Sequence, residues 1–298
     1  MPQQISDEQW RQLLETRATR PEAVAEAYAN RKRPEGLLSE RGTIFLVAAD
    51  HPARGALASG ADAMAMADRR GLLERLMTAL SRPGVDGALG SPDIVEELLL
   101  LGGLEGKVVV GSMNRGGLAG TVFEIDDRFT GYDADRIDAM GFDAGKMLLR
   151  IDPEDAATAS TIEACSRAVS ELAARGLMAM VEPFISHRVD GRVRNDLSTE
   201  AVIRSVTVAA GLGSSSAYTW LKLPVTDDVA GMEQVLAAST LPAVLLGGEV
   251  PDDPDAAFEA FEQVLKLPTA KGLVVGRSLL YPTDGDVAGA VDRAVSLL

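Results

Sequence analysis

The chain has 298 residues, 46% of them hydrophobic, with a single cysteine, Cys165, and a formal net charge of −15. So acidic a surface repels phosphate backbones, and no dense basic run exists beyond Arg31-Lys32-Arg33, which argues against nucleic acid as a partner. No window reaches the ~18 apolar residues of a membrane span, the start MPQQISDEQWRQLLE is polar and acidic, and a lone cysteine forms no internal disulfide, so a cytoplasmic, reducing location is expected.

In chain order, residues 6 to 32 read as two helices. Asp7-Glu8-Gln9 opens the first, and Pro21 is placed as the first residue of the second. Short apolar runs then alternate with amphipathic helical stretches. The runs are Thr43–Asp50, Val85–Gly90, Lys107–Ser112, Gly145–Asp152, Leu177–Phe184, Tyr218–Val225, Pro242–Gly248 and Gly272–Gly276. None shows the alternation of a half-exposed strand. Continuous apolar character means burial on both faces, as in parallel strands under a helical layer. Helices such as Pro92–Leu101, with Ser91 as its N-cap, and Thr161–Arg175 lie between them. Eight such units in a chain of this length predict an α/β fold, a (β/α)8 TIM barrel forming one domain over residues 1–298, with residues 1–40 as a helical extension capping one end. A doubly wound open sheet is the competing architecture.

Barrel chemistry sits at the C-terminal strand ends and the loops beyond them, which filters the candidates. The chain has only six lysines, so one inside an apolar run stands out. Lys222 lies in the sixth run, YTWLKLPV, beside Trp220, Leu221 and Leu223. Burial disfavours an ammonium, and a partly neutral lysine can attack a carbonyl and form a Schiff base. Lys146, in the fourth run, faces the same mouth if it points inward, and two close ammonium groups would depress one pKa further. Glu182 precedes Pro183, which is taken to end the fifth run, and a carboxylate there can shuttle protons. Asp50 closes the first run and can orient a substrate hydroxyl or the attacking amine. Each of the four also has a structural reading: a rim or ion-paired lysine for Lys222, an ion pair with a carboxylate for Lys146, a salt bridge to Lys146 or Arg150 for Glu182, and an Asx turn for Asp50.

The last two runs end in Gly247-Gly248-Glu249 and Gly276-Arg277-Ser278. Glycines let backbone N–H groups approach a phosphate, and the loops after the seventh and eighth barrel strands are its usual site. Arg277 would add a charge-assisted hydrogen bond. Arg115, after the third run, is either a contact to a second anionic group or a solvated loop arginine. The two histidines, His51 and His187, follow the first and fifth runs beside Asp50 and Glu182, and that set could instead hold Zn²⁺ or Mn²⁺, although no short His-x-His spacing supports it.

Together these residues resemble the class I aldolases of the tagatose-bisphosphate and archaeal-type fructose-bisphosphate group, which is related to deoxyribose-phosphate aldolase. The resemblance runs from about Gly42 to Pro282. Its motifs are Asp50-His51 followed by Arg54-Gly55, Lys146 before a run of leucines, Glu182-Pro183, Lys222, and Val275-Gly276-Arg277. It implies that Lys222 is the Schiff-base nucleophile, that Glu182 shuttles protons, and that Lys146 and Asp50 assist. Gly247, Gly248, Gly276, Arg277, Arg54 and Arg115 would bind substrate or phosphate. It further implies no cofactor or metal, a phosphorylated sugar as substrate, and a homo-oligomer. Actinobacterial relatives associated with inositol catabolism are the nearest in pattern, which implies 2-deoxy-5-keto-gluconate 6-phosphate as substrate. The chain departs from the pattern at Pro52-Ala53, inserted before Arg54-Gly55, and at Glu249. The strand-seven lysine of deoxyribose-phosphate aldolase is missing from PAVLLGG. The alternatives are a metal-dependent aldolase or hydrolase and a phosphosugar-binding regulator without activity.

Overall fold

Each of the eight apolar runs becomes a parallel strand, and the strands close on one another. The structure is a computed structural model that describes residues 4–226, 228–247 and 254–298. The strands are β1 (Ile44–Ala48), β2 (Gly87–Gly90), β3 (Val108–Ser112), β4 (Ala144–Ile151), β5 (Met178–Val189), β6 (Arg192–Asp196), β7 (Thr219–Leu223), β8 (Ala243–Leu246) and β9 (Ala270–Val275). Parallel pairing runs β1-β2-β3-β4-β5-β7-β8-β9 and returns to β1, giving a closed eight-stranded barrel, with β6 added antiparallel to β5. Closure removes the edges that an open sheet would leave.

The helices are α1 (Asp7–Thr19), α2 (Glu22–Asn30), α3 (Arg69–Leu80), α4 (Pro92–Leu100), α5 (Ala134–Ala139), α6 (Ala157–Ala173), α7 (Thr199–Ala210), α8 (Val229–Ala237), α9 (Pro254–Val264), α10 (Arg277–Leu280) and α11 (Val287–Val295). Each barrel strand is followed by at least one of them. Two local expectations shift. Pro21 stands at the N-cap of α2 rather than inside it. Ser91 does occupy the N-cap of α4, but its hydroxyl donates to Asp93 Oδ1 at 2.6 Å instead of accepting from the helix.

Strand parity sorts the apolar residues into two clusters. Ile44, Leu46, Ala48, Leu89, Val108, Val110, Ala144, Met178, Met180, Val244 and Val274 fill the barrel interior, with Leu37 and Trp220 packed against them. The alternate positions, among them Phe45, Val47, Val109, Met147, Leu149, Val181 and Leu273, meet the surrounding helices. Both faces of every barrel strand are therefore dry, which is why the sequence shows no alternation. Gly272 marks the tightest strand contact: its φ is +141°, and a Cβ there would lie 1.8 Å from the Ile44 carbonyl oxygen.

The N-terminal helices attach at the end where strands begin. Ser6 and Gln9 cap α1 reciprocally, Ser6 N donating to Gln9 Oε1 at 2.9 Å and Gln9 N to Ser6 Oγ at 3.1 Å. The buried Arg31 guanidinium donates to the carbonyls of Lys107 (2.7 Å) and Gly141 (2.8 Å), just ahead of β3 and β4. The opposite end, where strands finish, stays free for chemistry.

Pro183 does not end its strand. β5 continues to Val189 and pairs with β4 through Ile185, while its pairing with β7 stops at Val181–Leu221. Beyond that point the β7 side carries no ladder for the missing proline N–H to interrupt. The strand then turns back through Asp190 (φ 50°) and Gly191 (φ 76°) into β6. Such a left-handed Asp-Gly pair is the common two-residue hairpin turn.

Candidate active site

The inward parity that builds the apolar interior also selects the polar groups at its mouth. Continuing Ile44, Leu46, Ala48 gives Asp50, and continuing Val108, Val110 gives Ser112 and Asn114. The sequence Ala144, Lys146, Leu148, Arg150 belongs to β4, Met178, Met180, Glu182 to β5, and Trp220, Lys222 to β7. Asp50, Lys146, Glu182 and Lys222, four residues brought from four strands, meet there, each at most 8% exposed.

Glu182 lies between the two lysines. Its Oε1 accepts from Lys222 Nζ at 2.6 Å, and its Oε2 pairs with Lys146 Nζ. Lys146 Nζ also donates to Asp50 Oδ2 at 3.3 Å. The same Asp50 oxygen accepts from Ser112 Oγ at 3.1 Å and ion-pairs with Arg115 Nη2 at 2.6 Å, while Arg115 Nη1 donates to the Asp50 carbonyl at 3.1 Å. Asn114 clamps β4 from both sides, Nδ2 donating to Leu148 O at 2.6 Å and Oδ1 accepting from Leu148 N at 2.8 Å. The result is a connected, buried chain, Arg115–Asp50–Lys146–Glu182–Lys222, in which every charge has an opposite neighbour.

That alternation sets the ionisation. Burial works against a charged Asp50, but Arg115 and Lys146 outweigh it and hold the carboxyl well below its ordinary value. Burial likewise opposes charge on Glu182, and the ammonium groups of Lys146 and Lys222 again prevail and lower it far below the carboxylate range. For Lys146 the balance goes the other way. Desolvation, helped by Arg115 and Lys222, exceeds the pull of Asp50 and Glu182 and lowers its pKa to about 8. The expected pressure of one lysine on the other is thus felt at Lys146. His51 is 27% exposed with Nδ1 3.8 Å from Asp50 Oδ1, and desolvation brings it down to about 3, against the pull of Asp50, so the imidazole is neutral near pH 7.

The other expected site residues are dispersed. Arg54 is buried and turned under the long loop after β3: it donates to Gly117 O (2.8 Å) and Asn114 O (2.9 Å) and pairs with Asp127. Arg115 is 6% exposed and bound to Asp50, so the solvated-loop alternative does not hold for it. Gly276 packs against β1, where a Cβ would come within 2.5 Å of Ala48 O and 3.2 Å of His51 Cε1. Half-buried Arg277 donates to Ala58 O at 3.4 Å, and its charge reaches His51. Gly247 follows β8 against Val275 and Ser278, and Gly248 and Glu249 lie outside the described residues. His187 is exposed on the hairpin extension of β5, away from His51. Among the described residues no three of His, Cys, Asp and Glu are grouped to hold a metal ion, so the pairing of His51 with His187 has no geometric basis.

Ser112 and Asn114 escaped notice in the sequence, and Arg150 was considered only as an ion-pair partner for Glu182. The signal that finds them is parity: each lies an even number of residues from an inward-facing valine or alanine on its own strand.

Two lysines and two carboxylates are thus joined across the mouth of a closed (β/α)8 barrel, at the strand ends where such barrels carry their sites. Within that architecture, the chain belongs to the Cgl0159-like family, whose model matches residues 42–295. The crystal structure of Cgl0159 from Corynebacterium glutamicum (Brevibacterium flavum) is 55% identical, with a TM-score of 0.95 over 98% of this chain and 97% of that one. An archaeal fructose 1,6-bisphosphate aldolase is similar in fold at 20% identity, TM-score 0.66, covering 92% of this chain and 98% of that chain. Another archaeal fructose-1,6-bisphosphate aldolase, with its catalytic lysine covalently bound to the carbinolamine intermediate, gives 19% identity and a TM-score of 0.67, over 92% and 98% of the two chains. No curated protein shows significant sequence similarity to the chain. No helix among the described residues is long and apolar enough to cross a membrane.

Proposed function

We propose that the protein is a class I aldolase that cleaves and forms a carbon–carbon bond through a Schiff base on Lys222. The observation that carries this reading is Glu182 set between the Lys222 and Lys146 amines. A Schiff-base lysine must lose a proton before attack, and the carbinolamine must then gain one to expel water. A carboxylate touching both the nucleophile and a second amine near pKa 8 serves both needs. The archaeal aldolase with its catalytic lysine held as a carbinolamine has the same fold, which supports the reading.

In the cleavage direction, the neutral Lys222 amine adds to the substrate ketone. Proton transfer through Glu182 releases water and leaves an iminium. The hydroxyl on the carbon beyond the scissile bond then loses its proton. Its electrons form the aldehyde carbonyl as the carbon–carbon bond breaks, and the bonding pair is taken up as an enamine. Protonation of the enamine and hydrolysis return Lys222 and release the ketone. Lys146 keeps Glu182 and Asp50 ionised and can take up or return the relayed proton. Asp50, held by Arg115 and Ser112, is placed to orient a substrate hydroxyl. Gly247, Gly276 and Arg277, beyond β8 and β9, would receive the phosphate of a dihydroxyacetone phosphate half. The particular substrate proposed is 2-deoxy-5-keto-gluconate 6-phosphate.

The test is to incubate the protein with dihydroxyacetone phosphate and sodium borohydride, then take an intact mass and map the peptides. A reduced adduct confined to the Lys222 peptide is the expected outcome. No adduct with dihydroxyacetone phosphate, pyruvate or 2-deoxy-5-keto-gluconate 6-phosphate removes the Schiff-base reading.

A further inference from the structure

Arg150 has no part in the charge chain just described, yet it shares the inward face of β4 with Lys146 and Leu148. Leu148 is the register partner of Glu182, and Arg150 is the partner of Phe184. At about 3.3 Å per residue, Arg150 therefore stands about 7 Å further toward the open end than the Glu182 level. Its side chain is 15% exposed, and among the described residues it ion-pairs with Glu124, whose Oε1 lies 3.1 Å from Nη2. Nε and Nη1 are buried with no hydrogen-bond partner among the described residues.

This is an unusual way to leave an arginine inside a protein, because unmet buried donors cost stability. The neighbouring Arg54 also leaves its Nε unmet, but its Nη atoms use Asp127 and two carbonyls. Asp127 is thereby committed to Arg54 and to Gly117 N, and Glu124 spends its other oxygen on Gly120 N at 2.7 Å. Burial and the charge of Arg54 disfavour the Arg150 cation, and Glu124 only partly offsets them. Nη2 carries one N–H on each two-donor edge of the guanidinium, so a single contact there leaves at least one edge free. An incoming carboxylate or phosphate can take a full edge, the geometry for which arginine is best suited.

We propose that Arg150 binds an anionic group, carboxylate or phosphate, on the part of the substrate that leaves as the aldehyde. The proposal rests on the Schiff-base reading of Lys222, because it is that bond which fixes the donor half at β7 and sends the acceptor half toward the ends of β4 and β5. With the phosphate loops beyond β8 and β9 at the other side of the mouth, the substrate would be anionic at both ends. Glu124 exchanges its hold on Nη2 for the incoming group.

The test compares Arg150→Met and Arg150→Lys with the unaltered protein in condensations of dihydroxyacetone phosphate with three aldehydes: glyceraldehyde 3-phosphate, malonate semialdehyde and uncharged glyceraldehyde. Arg150→Met should lower the kcat/KM ratio of charged over neutral aldehyde by ~100-fold, the size expected for losing a charged hydrogen-bond partner. Arg150→Lys should restore part of it. The charged aldehyde with the larger loss identifies the group as carboxylate or phosphate. Equal losses for charged and neutral aldehydes, or none, overturn the proposal. A second measurement needs no turnover. In an Arg277→Met background, inorganic phosphate and malonate are titrated calorimetrically with and without Arg150→Met. Weakening of one anion by tenfold or more is expected, and unchanged affinity for both overturns the assignment. If borohydride traps nothing on Lys222 in the unaltered protein, the aldolase reading fails, and the titration still decides whether Arg150 binds anions.

Discussion

Lys222 Nζ lies 2.6 Å from Oε1 of Glu182, and the other oxygen of that carboxylate holds Lys146. The proposed nucleophile, its proposed proton acceptor and a second amine thus form one unit across β4, β5 and β7, and its members should respond differently to replacement.

Replacing the proposed nucleophile should remove covalent catalysis altogether. Lys222→Met should reduce retro-aldol kcat by several orders of magnitude and abolish the borohydride adduct. Near-normal turnover in that variant would rule out the mechanism, whatever the stability of the fold.

Glu182→Gln keeps the shape and removes the charge between two buried ammonium groups. The loss of a positioned acid–base group should lower kcat by about 10²–10⁴-fold. Removing one member of a buried pair should also cost about 3–5 kcal/mol of unfolding free energy. Urea denaturation and steady-state kinetics on the same preparation read both effects. A variant that loses activity with unchanged stability would show that the lysines do not depend on Glu182 for charge compensation.

The lowered pKa of Lys146, about 8 against an ordinary 10.5, fixes the sign of a pH effect. Between those values the unfolded chain binds more protons at this residue than the folded one, so its contribution to stability rises with pH, by up to about 3 kcal/mol. Asp50 and Glu182 have lowered carboxyl pKa values, so their contribution is present above the unfolded carboxylate pKa and fades as pH falls below it. The difference in unfolding free energy between the unaltered protein and Lys146→Met, followed from pH 8 to 10, isolates the first effect. A flat difference would refute it.

Arg54 and Asp127 predict an effect on stability apart from the chemistry of the cluster. Asp127→Asn leaves a buried guanidinium with two carbonyl partners and no counter-charge, and should cost about 3–5 kcal/mol in urea unfolding. A cost under ~1 kcal/mol would mean that the loop after β3 carries this pair without depending on it.

Much of this arrangement was legible in the sequence. Parallel strands buried on both faces leave a local trace, a short apolar run with no alternation, and all eight runs could be read from such traces. Lys146, Glu182 and Lys222 announced themselves because charged groups inside such runs are costly to bury and few. The Asp190-Gly191 turn also had a local signature, the Asp-Gly pair between alternating residues, that identifies the β5–β6 hairpin once Pro183 is not taken as a strand end. What no local pattern carries is which charge meets which. Asp50 and Lys146 are 96 residues apart, and Arg54 and Asp127 are 73 apart. Arg115, read as a choice between substrate contact and solvated loop, became the buried partner of Asp50, while Arg150 kept two donors unmet. Backbone parity assigns a residue to the inside or the outside, and that is written in neighbouring residues. The choice of counter-ion depends on which strand ends the closed barrel brings within a few ångströms, and only the tertiary structure decides that.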